Sequence, residues 1–144
     1  MEKITHPFIM TIIAVLLLTA CSKENKIKRQ LAGSWTITEV VTTTTINNGS
    51  PITNTDNSET VTTFEKDGSG TASSSGSGTN PFPKDFTWSN TDETLTIVDI
   101  DNPITTIYKV IENSKKEMIL NATSSETISG DNYTYDITIT MNSQ

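Results

Sequence analysis

The chain holds one cysteine, Cys21, and one histidine, His6, in 144 residues. These are the side chains best suited to nucleophilic or metal chemistry near neutral pH. Both fall in or at the edge of an N-terminal segment with the three parts of an export signal. Lys3 supplies the charge, Phe8 to Leu18 supply an apolar core interrupted by Thr11, and Thr19 and Ala20 are small residues before a cut. The stretch from Pro7 to Ala20 is shorter than the about 20 apolar residues of a membrane-spanning helix, so a permanent span is not expected. A cut before Cys21 removes His6 and leaves a chain of single-domain size.

The run Leu17-Leu18-Thr19-Ala20-Cys21 resembles the lipobox of bacterial lipoproteins: a branched apolar residue, two small residues, then the cysteine that receives lipid. The resemblance implies a signal peptide over residues 1–20, a lipidated tether over 21–30 that begins at Cys21, and one domain over 31–144. An ordinary secretory signal with a coincidental cysteine is the other reading. Lipoproteins of this kind carry two or three acyl chains, and two chains anchor stably at about 0.8 kcal/mol per buried CH₂. Ser22-Lys23-Glu24 is similar to runs that in some Gram-negative lineages mark lipoproteins for the outer face of the outer membrane. A solvated linker is the plain alternative for it.

Once His6 is cut away and Cys21 is acylated, no imidazole and no free thiol remain. That excludes Ser-His and Cys-His sites, zinc sites built on His or Cys, and disulfides. Paired carboxylates can hydrolyse glycosides without histidine. Asp92, Glu93, Asp99, Asp101 and Asp136 are candidates, but no spacing singles out a pair. Asp99, Asp101 and Asn102 offer oxygens of the type calcium takes, yet Pro103 and Ile104 interrupt the run and these are also ordinary turn residues. Gly68, Gly70, Gly76 and Gly78 are not followed by the Lys-Ser/Thr of a phosphate loop. The expectation is a protein that is not an enzyme, with no catalytic residue, no metal and no cofactor. The formal net charge of −7 opposes binding to nucleic acid. Attachment to the membrane is then expected from the acyl chains and not from a basic patch.

The rest of the chain reads as strands. Ile27 and Leu31 are four apart and would share a face of a short helical turn that ends at Gly33. Eight strands are expected: Trp35–Ile46, Glu59–Lys66, Gly70–Ser73, Asp85–Asn90, Thr94–Asp99, Ile104–Ile111, Lys116–Ala122 and one from Tyr133 to about Asn142. In the first, Trp35, Ile37 and Val41 share a face, with Glu39 breaking the alternation. In the second, Val61 and Phe64 are the expected anchors. The last has strict period two, with Tyr133, Tyr135, Ile137, Ile139 and Met141 on one face. Asn47-Asn48-Gly49-Ser50 and Lys66-Asp67-Gly68 are hairpin turn signals. Loops are expected near Asn47–Asp56, Ser73–Pro83 and Ser124–Asp131. The whole suggests an all-β, antiparallel eight-stranded barrel, which removes the free edges of so Thr-rich a sheet.

Leu31-Ala32-Gly33-Ser34-Trp35, then Phe64-Glu65-Lys66-Asp67-Gly68-Ser69-Gly70, Phe86-Thr87-Trp88 and Leu95-Thr96-Ile97 resemble the lipocalin-like domains of small bacterial outer-membrane lipoproteins. The resemblance implies that Gly33 and Trp35 close the narrow end of the barrel. In lipocalins that tryptophan packs under an arginine of the last strand. Here the only arginine is Arg29, ahead of the first strand. Phe86, Trp88, Tyr133 and Tyr135 are the candidates to line a cavity, because eight strands either fill with side chains or hold one small ligand. The expected role is non-catalytic: binding a small apolar or amphipathic ligand, or a surface partner. The alternative is a structural or inhibitory surface lipoprotein with a filled core that acts through its loops.

Overall fold

A computed structural model describes residues 23–57, 59–74 and 80–144. The expected leader, its cut and Cys21 lie outside the described residues. Helix α1 (Lys23–Leu31) is followed by nine strands: β1 (Gly33–Ile46), β2 (Ile52–Asp56), β3 (Thr60–Phe64), β4 (Ser69–Ser74), β5 (Asp85–Asn90), β6 (Thr94–Asp99), β7 (Thr105–Asn113), β8 (Glu117–Ile128) and β9 (Asp131–Ser143). All neighbouring strands are antiparallel, and β9 pairs back onto β1. Strands β1 and β3–β9 therefore close an eight-stranded barrel, as expected, and β2 is an extra strand on the free part of β1.

Three element boundaries differ from the sequence expectation. The segment read as a loop from Asn47 to Asp56 contains β2. Its hairpin turn puts the positive φ on Asn47 (48°) and Asn48 (57°), with Gly49 N–H donating to the Ile46 carbonyl at 2.8 Å. Both central residues of a type I′ turn need that conformation, and asparagine tolerates it. The loop expected over Ser124–Asp131 is mostly strand: β8 runs to Ile128 and turns tightly through Ser129 and Gly130. Helix α1 begins at Lys23, so it includes most of the segment read as a tether.

The break in alternation at Glu39 is a β-bulge. Register on β9 shifts between Ile37 and Glu39, leaving Thr38 as the extra residue. The bulge resets the phase, so the inward residue is Val40 and not Val41. In β3 the buried residues are Thr60, Thr62 and Phe64, with Val61 turned out. A second bulge, at Ile111, shifts β7 against β8.

The core is one cluster inside the barrel, built from Leu31, Trp35, Phe64, Phe86, Leu95 and Met141 among others. Helix α1 buries Ile27 and Leu31, the pair that shares a face. Leu31 caps the barrel end at which β1 starts. The opposite end is uneven. Strands β7 and β8 pair only as far as Lys109↔Asn121, whereas β8 and β9 continue to Ile128↔Asp131. The outer parts of β2, β1, β9 and β8 thus project past the rim as a four-stranded apron. Its tip is clamped: Asn47 N–H donates to the Asn132 carbonyl and Asn132 N–H to Asn47 Oδ1, both at 2.9 Å.

Candidate functional site

The closed end is built from Gly33, Trp35 and α1. Gly33 takes φ +138° between the helix and β1. Trp35 is buried, and its indole N–H donates to the Leu31 carbonyl at 2.7 Å. That satisfies one of the carbonyls a helix leaves unpaired at its C-terminus. Trp88 lies near the same end, where its indole N–H donates to the carbonyls of Ser69 (2.9 Å) and Glu65 (3.1 Å).

An aromatic column fills the interior above it. Phe64 meets Trp88, Phe86 and Phe82 edge-on at 5.7, 5.4 and 5.8 Å between ring centres, and Phe82 meets Tyr108 at 5.6 Å. Phe86 and Trp88 are therefore part of the packed core. Tyr133 and Tyr135 are not: they stack on each other on the apron, 6.3 Å apart and 13° from parallel. The four aromatics singled out from the sequence are not brought together.

One concave space lies at the top of the column, between the apron and the rim. It is a cleft of about 400 Å³, open to solvent on one side and lined by Val40, Thr42, Asn54, Asp56, Tyr108 and Ile137, with Pro81 at the wall. Pairing places these side chains together. Val40↔Ile139, Thr42↔Ile137 and Thr44↔Tyr135 are opposite one another on β1 and β9, and Val40↔Asp56 and Thr42↔Asn54 on β1 and β2. With period-two alternation, the face that lines the cleft continues outward through Thr44, Ile46, Tyr135 and Tyr133. On β8 the same face carries Ala122, Ser124 and Glu126. The Tyr135 hydroxyl donates to Glu126 Oε1 at 2.8 Å. That bond, with the negative charge of Glu126, holds the Tyr135 phenol above its ordinary pKa.

An apolar floor with hydroxyl, amide and carboxylate walls suits a small amphipathic molecule. Sequence reasoning missed most of this lining. The inward phase of Tyr108 and Ile137 is readable from alternation; Val40, Asn54 and Asp56 depend on the bulge and on β2. Among the described residues there is no group of three or more His, Cys, Asp or Glu placed to hold a metal. Asp99 instead accepts the backbone N–H groups of Asp101 (2.9 Å) and Asn102 (3.2 Å) in its own turn. No helix among the described residues is long and apolar enough to cross a membrane.

Tyr108 at the cleft floor has a measurable signature. Burial pushes its pKa from 10.0 up to about 12, because the phenolate is penalised away from water. Below pH 10 the folded and unfolded chains both keep this proton. Between pH 10 and 12 the unfolded chain releases it and the folded chain does not, so stability falls with pH by about 2–3 kcal/mol in all. The hydroxyl has one long bond, to the Pro81 carbonyl at 3.4 Å. Tyr108→Phe should therefore cost little at pH 7 and should flatten this part of the alkaline decline. Urea titrations at steps from pH 9 to 12 measure it, and parallel curves for the two proteins would contradict the burial argument.

No family model matches the chain, and no curated protein matches it. Among solved structures it is similar to a redesigned β-barrel, at 14% identity over 83% of this chain and 96% of that one, with a TM-score of 0.43.

Proposed function

We propose that this protein is a lipid-anchored barrel that takes a small amphipathic ligand at its open end and performs no chemistry on it. The observation that carries the reading is the cleft of about 400 Å³ between the apron and the rim. The anchor rests on Cys21 and the lipobox-like run before it, and the label lipocalin-like rests on the Gly33-Ser34-Trp35 element and on the motifs that follow it. Helix α1 begins two residues after Cys21 and packs at the closed end. An anchor there holds the closed end at the outer membrane and turns the cleft away from it. The interlocked aromatic column favours a second reading, a surface protein with a filled core that acts through the loops of its open end.

Native mass spectrometry of the full chain, extracted from its producing cell in mild detergent, tests the first reading. The expected result is a bound small molecule that is lost when Thr42→Trp fills the cleft, while the acyl mass on the chain is unchanged. An empty cleft in the parent protein, or a ligand retained by the variant, would favour the filled-core reading. Cys21→Ala should abolish the acyl mass and release the protein from the membrane fraction.

A further inference from the structure

We infer that the apron is the cation-recognising half of this cleft, so that the ligand is a cationic amphiphile whose tail enters at Tyr108 and whose charged head rests against Tyr133 and Tyr135. The inference deepens the ligand reading above and rests on it. Three observations carry it. First, the cleft does not end at the rim. Its lining face runs without a register shift from Val40 to Ile46 on β1 and from Ile137 to Tyr133 on β9. A stretch of that length is about 20 Å long, enough for an elongated molecule with two chemically different ends.

Second, the two ends of the path differ in chemistry. The inner end offers Val40, Ile137 and the buried ring of Tyr108. The outer end offers two nearly parallel tyrosine rings, half-exposed, with the Glu126 carboxylate held beside them by the Tyr135 hydroxyl. An aromatic face next to a carboxylate attracts an alkylammonium or quaternary ammonium group.

Third, the net charge of the molecule is uneven along the barrel axis. Lys26, Lys28, Arg29, Lys66, Lys115 and Lys116 lie in α1 and in the turns of the closed end, where Glu65, Asp67, Asp92, Glu93, Glu112 and Glu117 balance them. The open end carries Asp56, Glu59, Asp99, Asp101, Glu126 and Asp131. Among the described residues, Lys84 is the only cation in its loops and turns, and it pairs with Asp85 at 3.6 Å. The net charge of −7 is thus concentrated where the cleft opens. A field of one sign over a cleft raises the local concentration of the opposite charge and makes capture depend on salt. An anionic amphiphile of the same shape would meet repulsion from Asp56 and Glu126 along the path.

The test uses the full chain in phosphatidylcholine nanodiscs, with empty nanodiscs as the blank. Octyltrimethylammonium, octanoate and octanol are titrated by calorimetry at low and high salt. The expected order is tight binding of octyltrimethylammonium, weaker binding of octanol and weakest binding of octanoate, with the first losing affinity as salt rises. Glu126→Gln and Tyr133→Ala should each weaken the cation about three- to tenfold and leave octanol unchanged. Thermal melts confirm that the variants are folded. Octanoate or octanol binding as tightly as the cation, or variants without effect on it, would overturn the inference and leave the ligand reading standing. Binding of none of the three would remove the ligand reading and this inference together.

Discussion

Phe64→Ala is expected to lower the unfolding free energy by about 3–5 kcal/mol. The ring is 1% exposed and stands edge-on to Phe82, Phe86 and Trp88 at 5.4–5.8 Å. Each such contact contributes about 0.5–1.5 kcal/mol beyond the area it buries. The neighbours cannot close the void cheaply. Trp88 is fixed by two indole hydrogen bonds to the Glu65–Ser69 turn. Phe86 and Phe82 are each packed against the other at 6.0 Å. Phe64→Leu keeps most of the volume and should cost about half as much or less. Urea denaturation at neutral pH measures both. An alanine cost below about 1 kcal/mol would mean that the column relaxes into the void.

The barrel is legible from the sequence because its inner strands alternate. Trp35 and Ile37, Phe86 and Trp88, Leu95 and Ile97, Met118 and Leu120 are spaced by two, and all are buried. Illegibility begins where alternation carries no apolar mark. Strand β2 has four exposed residues out of five, Ile52 among them, so neither face carries a buried apolar mark, and only its turn and register make it a strand. The outer half of β8, Thr123 to Ile128, is exposed throughout for the same reason. At Thr38 the sequence shows a broken pattern, and only the pairing shows that the break is an inserted residue that brings Val40 inward.

The candidate site was half legible for a related reason. Period two tells which face a side chain occupies, not whether the barrel continues on the far side of it. Phe86 and Trp88 share a face and face other aromatic rings, so they become core. Tyr133 and Tyr135 share the face of Ile139 and Met141 but stand beyond the rim, where no opposite wall covers them. The sequence also hides where the charge falls. A single net value of −7 does not reveal that cations and carboxylates balance at the helix end, while the unbalanced carboxylates lie at the cleft end. Strand order converts the one into the other, because each turn falls alternately at one end and then the other of an antiparallel barrel.

The second large effect is expected at Gly70. It lies opposite Phe64 on one side and Phe86 on the other. A Cβ added there would fall inside the contact radius of Cε2 and Cζ of the Phe86 ring, which lies over the glycine. An exposed ring could swing aside. This one is fully buried and hemmed by Phe64 at 5.4 Å and Phe82 at 6.0 Å. Gly70→Ala should therefore act as overpacking, at about 3 kcal/mol, the upper end of the usual range, although alanine suits an ordinary strand better than glycine does. The cause can be isolated by a double-mutant cycle. In a Phe86→Leu background the clash is relieved, so the same alanine should cost at least 1 kcal/mol less, a coupling of the size found between touching residues. Equal costs in both backgrounds would place the penalty in the β4 backbone and not in the ring. A stabilising Gly70→Ala would mean that Phe86 does not lie over the glycine at all.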